Sequence, residues 1–121
     1  MTETLDEVAL RSLLAMVGDD PEFVDELVDS FLEDSPQQIA ALRAAASNGD
    51  ADGLVRPAHT LKGSSASLGA RGVESIGRAI EERGRAGTVE GVAELLVELD
   101  GAYKELLTTL SDARQRRWVA P

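Results

Sequence analysis

The clearest periodicity lies in the C-terminal third, where apolar residues recur at Val89, Val92, Leu96, Leu99, Tyr103, Leu106 and Leu110, spaced 3, 4, 3, 4, 3, 4. That spacing keeps one face apolar and predicts a helix over 89–116 with a seam of bundle type. Phe23, Leu27, Phe31, Leu32, Ile39, Leu42 and Ala46 trace a second long helix over 21–47. Asp20 is its N-cap, and Pro21 takes the first position, where a missing N–H is harmless. Pro36 interrupts the span, which is therefore one kinked helix or two abutting ones; the kinked helix is expected. Leu5, Val8, Leu10 and Leu14 predict a shorter helix from near Thr4 to Gly18. Asn48-Gly49-Asp50 reads as a turn ending in an N-cap, followed by a helix over 51–68 that Gly69 ends. Pro57 lies inside that helix and is expected to bend the turn before His59. Val73, Ile76 and Ile80 are the inward positions of a helix over 70–86, closed by Gly87. No alternating pattern suggests a strand, so the expected class is all-α: an antiparallel four-helix bundle with a short additional N-terminal helix.

Composition limits what such a bundle does. With 121 residues, 43% of them hydrophobic, the chain fills one core and is expected to be a single domain over 1–121. Cysteine is absent and histidine occurs once, which removes disulfides, thiolate sites and a histidine-based zinc site. No apolar run approaches the ~20 residues of a membrane span, and the acidic N-terminus lacks the basic region of a signal peptide, so a cytoplasmic location is expected. The net charge of −10 argues against nucleic acid. It is unevenly spread: residues 1–50 carry −10, residues 51–87 carry +2 and residues 88–121 carry −2. Only the segment around His59 is positive, where a phosphoryl group or an acidic partner meets its most favourable field. Ordinary use of arginine on a helix surface accounts for the excess equally well. The run Arg114-Gln115-Arg116-Arg117-Trp118 offers a docking patch, but a frayed end over about 114–121, with cations complementing the helix dipole, is the expectation.

Imidazole has a large neutral, nucleophilic fraction near pH 7, which makes the single histidine a candidate reaction centre. On a helix of roughly 3.6 residues per turn, Leu54, Ala58, Leu61, Ser65 and Leu68 form the buried stripe and His59 falls about 140° from it, towards solvent. Lys62, Gly63 and Ala66 share its face. Glycine within a helix costs about 0.5–1 kcal/mol relative to alanine, so its place one turn above the ring suggests that a side chain there obstructs access. Lys62 is a mobile cation within reach of an anionic group on the imidazole. Ser64, Ser65 and Ser67 have no base arranged to activate them and read as structural.

The pattern His59-x-x-Lys62-Gly63-Ser64-Ser65, with Gly69-Ala70 following, resembles the histidine-containing phosphotransfer (HPt) domains of multistep two-component phosphorelays. The resemblance implies the bundle fold over essentially the whole chain. It makes His59 the phosphorylated residue, Lys62 the phosphate-stabilising cation and Gly63 the clearance residue. It implies reversible transfer to and from aspartates of response-regulator receiver domains, with the receiver supplying Mg2+, and a hybrid histidine kinase as a further partner. No Walker-type lysine or glycine-rich phosphate loop accompanies the motif, so autonomous ATP-dependent kinase activity is not expected, nor is a cofactor of the chain's own. Arg56, Ala66, Glu81 and Arg85 are the expected partner-binding residues, on a monomer that meets neither nucleic acid nor membrane.

Glu81 lies 22 residues after His59, where several HPt domains carry a glutamine that hydrogen-bonds to the ring. A carboxylate there accepts from one ring nitrogen and also favours the imidazolium. Alternatively, Glu81 and Glu82 form a solvated face paired with Arg78 and Arg85. Two other functions compete with the relay. One is the phosphoacceptor domain of a chemotaxis-type kinase, which a chain that starts with Met and ends about where the bundle does disfavours. The other is a non-catalytic receiver-binding adaptor, which has no need of His59, Lys62 and Gly63 together.

Overall fold

The computed structural model describes residues 20–118, and the expected helix near Thr4 to Gly18 lies outside them. Four helices follow one another: α1 (Pro21–Ser47), α2 (Asp52–Ser67), α3 (Arg71–Arg85) and α4 (Val92–Gln115). Each packs on its neighbour in sequence and α4 returns to α1, which closes the four-helix bundle.

The helix ends follow from local chemistry. Asp20 Oδ1 accepts from the N–H groups of Glu22 at 3.0 Å and Phe23 at 3.4 Å, which caps α1. α1 runs unbroken through Pro36, one helix rather than two, and buries Val24, Val28, Phe31, Ile39 and Leu42. Asp50 caps the next helix by accepting from Gly53 N at 3.0 Å. α2 likewise continues through the buried Pro57. Gly69 and Gly87, at φ of 72° and 79°, turn the chain after α2 and α3 in a conformation that costs residues with a Cβ more.

Two boundaries differ from expectation. α4 begins at Val92 instead of 89 because Gly91 takes φ 78° and Thr88 Oγ1 accepts from Glu90 N at 3.0 Å, a local turn that holds Val89 outside the helix. Nor is the end of α4 frayed over 114–118. Trp118 is 1% exposed, and its indole Nε1 donates to Asp25 Oδ1 at 2.9 Å. Arg114 reaches Asp29 Oδ1 at 2.8 Å, and its guanidinium lies 5.7 Å from the Trp118 ring centroid. Apolar burial and this polar network at the start of α1 offset the loss of chain freedom.

α2 and α3 are the most closely joined pair. The reason is a pair of buried glycines one heptad apart on α3. A Cβ on Gly84 would stand 2.9 Å from Ala51 O and 3.0 Å from Val55 Cγ2; one on Gly77 would stand 3.4 Å from Lys62 N. Absence of these side chains lets the two backbones approach, with Ala58 and Ser65 as the small residues on α2. Glu81 lies between Gly77 and Gly84 and is pressed against the face of α2 that bears His59 and Lys62.

Candidate functional site

His59 is exposed on α2, its side chain 62% accessible, with Arg56, Gly63 and Ala66 exposed on the same stripe. A Cβ on Gly63 would meet nothing within 4 Å, so the space above the imidazole is open and the glycine serves no packing contact. Ser64 Oγ donates to Thr60 O at 3.0 Å and Ser67 Oγ to Gly63 O at 3.1 Å, while Ser65 is buried. The serines are thus engaged by their own helix or by packing, in keeping with structural roles.

Glu81 is the centre of the polar arrangement. Its side chain is only 6% exposed, and its two oxygens are divided among three basic groups. Oε2 lies 3.0 Å from His59 Nδ1 and accepts from Arg85 Nε at 3.1 Å and Nη2 at 2.8 Å. Oε1 is 2.7 Å from Lys62 Nζ. A buried carboxylate needs such partners to remain charged. The hydrogen bond from Lys62 is the largest influence on it; burial opposes, and the bonds from Arg85 and His59 add to the lysine, holding the carboxyl down at about 2.

These contacts decide between the two roles open to Glu81. It is not part of a solvated face: it is buried against α2 and touches the ring, while Glu82 is exposed. Arg85 does pair with it, but Arg78 pairs with Glu74 at 3.1 Å. Lys62, expected as a cation free to meet an anionic group on the ring, is here engaged by Glu81, its side chain 27% exposed. Arg85, expected to meet a partner, bonds to Oε2 through its head group while its side chain stays 61% exposed. Among the described residues no group of three or more His, Cys, Asp or Glu side chains is placed to hold a metal, and no helix is long and apolar enough to cross a membrane.

A family profile described as the Hpt domain matches residues 26–114, a span that includes the whole of α2 and α3. The chain belongs to the Hpt domain family. This Hpt domain is 36% identical over 95 residues to histidine-containing phosphotransfer protein 2 of Arabidopsis thaliana, an alignment covering 76% of the chain and 61% of that protein. It is 34% identical over 95 residues to histidine-containing phosphotransfer protein 5 of the same plant, covering 76% of the chain and 60% of that protein. The chain therefore spans about three-fifths of the length of these curated relatives. Among solved structures, it superposes on histidine-containing phosphotransfer protein B from Pseudomonas aeruginosa PAO1 with a TM-score of 0.83 and 29% identity, covering 96% of this chain and 98% of that one.

Two contributors to the site in this Hpt domain escaped the sequence. Gly77 and Gly84 set the distance at which Glu81 meets α2, and their seven-residue spacing on the apolar face of α3 was the available signal. Division of Glu81 among three basic groups left no such signal, because it depends on the rotation of one helix against another.

Proposed function

We propose that this Hpt domain relays a phosphoryl group to and from aspartates of response-regulator receiver domains through His59. The observation that supports this most directly is the His59–Glu81 contact on an unobstructed surface: Nδ1 is held at 3.0 Å by a buried carboxylate while the ring itself stays exposed below a glycine. With its proton on Nδ1, shared with Glu81, the imidazole presents the Nε2 lone pair outward. In the forward step Nε2 forms a bond to the phosphorus of an aspartyl phosphate, and the P–O bond to the aspartate breaks with its electron pair leaving on the carboxylate. In the onward step an aspartate oxygen of a second receiver bonds to the phosphorus, and the P–Nε2 bond breaks with its electron pair returning to the ring. Lys62 is close enough to exchange its contact with Glu81 for one with the phosphoryl oxygens, which places a cation where negative charge arrives. The domain supplies position, clearance and one cation, and positioning with charge stabilisation carries most of the barrier reduction in phosphoryl transfer. The metal that receiver chemistry requires is the receiver's to supply.

Incubation with a phosphorylated receiver tests the proposal. The expected product is an acid-labile, base-stable adduct on the domain that His59→Gln abolishes while helix content by circular dichroism is unchanged. Label that persists in His59→Gln overturns it.

A further inference from the structure

A carboxylate against an imidazole fixes the Nδ1 tautomer, which leaves Nε2 to act as nucleophile, only while one of its oxygens stays on that nitrogen. In this structure the same oxygen that faces His59 Nδ1, Oε2, also takes two hydrogen bonds from Arg85, at 3.1 Å and 2.8 Å. Lys62 occupies the other oxygen. If Lys62 moves to an incoming phosphoryl group, Arg85 is the cation that stays on Glu81.

We infer that Arg85 is a positioning residue that acts through Glu81: it holds Oε2 on His59 Nδ1, so that the ring keeps its proton on that nitrogen and presents Nε2 to the incoming phosphoryl group. The charged surroundings are consistent with this assignment. From α2, Lys62 reaches Glu81 and Arg56 is exposed three residues before the ring. From α3, Arg78 is occupied by Glu74, and Glu82 is exposed. α1 brings Asp34 into the groove lined by Thr60 and Ser64. Among the described residues no charged side chain of α1 or α4 bonds to Glu81 or His59. Arg85 is 61% exposed at its side chain, so solvent screens its charge, yet two-point attachment to one oxygen keeps the guanidinium in place.

The inference rests on His59 being the phosphoacceptor, but its principal test involves no transfer. His59 is the chain's only histidine, so its two ring nitrogens give one unambiguous pair of 15N resonances, and their shifts report which nitrogen of the neutral ring carries the proton. The expected result is that the parent protein holds the proton on Nδ1 and that Arg85→Ala moves the pair towards the Nε2-protonated form. Arg85→Lys, which keeps a donor, is expected to move it less than half as far. In a Glu81→Ala background, Arg85→Ala is expected to add almost nothing. Unmoved nitrogen shifts in Arg85→Ala overturn the inference. The same movement in the Glu81→Ala background also overturns it, since Arg85 then acts on the ring directly. Loss of transfer with unmoved nitrogen shifts overturns it too and assigns Arg85 to partner contact. Should Arg85→Ala lose helix content, Arg85→Gln set against Arg85→Lys makes the same comparison. Failure of the relay proposal reads out separately, as label surviving His59→Gln.

Discussion

Glu81 and Gly63 place opposite demands on this site, one for contact and one for its absence. Because the Glu81 carboxyl is held at about 2, below its ordinary value of 4.5, the folded state binds its proton less readily than the unfolded chain does. Its contribution to stability is therefore fully present above about pH 4.5 and is lost as the pH falls through about 2. Acid titrations of urea-unfolding midpoints are expected to show the parent protein losing stability across that window, with a flatter profile for Glu81→Gln. A slope that is identical in the variant contradicts the assignment. Gly63 makes no packing contact for a side chain to disturb. Gly63→Gln is expected to keep or raise the melting temperature, through better helix propensity, while reducing single-turnover phosphotransfer at least about tenfold by filling the approach to the ring. Unfolding of that variant would show that the glycine is needed for packing. The exposed azimuth of His59 and the clearance at Gly63 were legible in the run Ala58–Ala70, because helical periodicity alone determines which way a residue on one helix points. Engagement of Lys62 was not legible, since the partner that holds it comes from another helix.

At the scale of elements, glycines in α2 and α3 behave differently although both interrupt good helix formers. Alanine at Gly63 should stabilise by the propensity difference of about 0.5–1 kcal/mol. Alanine at Gly84 brings a methyl to 2.9 Å from Ala51 O, a backbone atom that cannot turn aside, and to 3.0 Å from Val55 Cγ2. Overpacking of that kind costs about 1–3 kcal/mol, which exceeds the propensity gain. Denaturant unfolding is expected to rank Gly63→Ala above the parent and Gly84→Ala below it, and the reverse order would remove close backbone approach as the reason for Gly84. Helix limits were mostly readable: Asp20, Asp50, Gly69 and Gly87 act as the caps and stops their chemistry suggests. The start of α4 was not, because the apolar spacing continues back through Val89 while a Thr88 side-chain bond and the left-handed Gly91 hold that residue outside the helix.

Across the whole molecule, the two ends of the described chain are fastened together. Trp118 packs beside α1 with its indole on Asp25, and the Trp118 hydrogen bond is the chief influence lowering that carboxyl's pKa, with Arg114 and Arg117 assisting against partial burial. Arg117 and Trp118 both take positive φ, 56° and 67°, a conformation that costs non-glycine residues roughly 1–2 kcal/mol each, so the tail is held there by its contacts. Trp118→Ala is expected to lower unfolding free energy by about 3–5 kcal/mol. Urea unfolding followed by circular dichroism checks this, and an effect below about 1 kcal/mol would mean that the tail is not part of the cooperative fold. The sequence by itself determined the all-α class, the extent of α1 and, nearly, of α2 and α3, and the placing of His59 and Gly63 on an open face. These follow from periodicity and from caps that act within a few residues. Tertiary structure alone decided that Glu81 is buried on the ring, that Lys62 and Arg85 share it, and that Trp118 closes onto α1. Each of those depends on the distance and rotation between helices, which glycine contacts and buried area set and which no pattern along a single helix records.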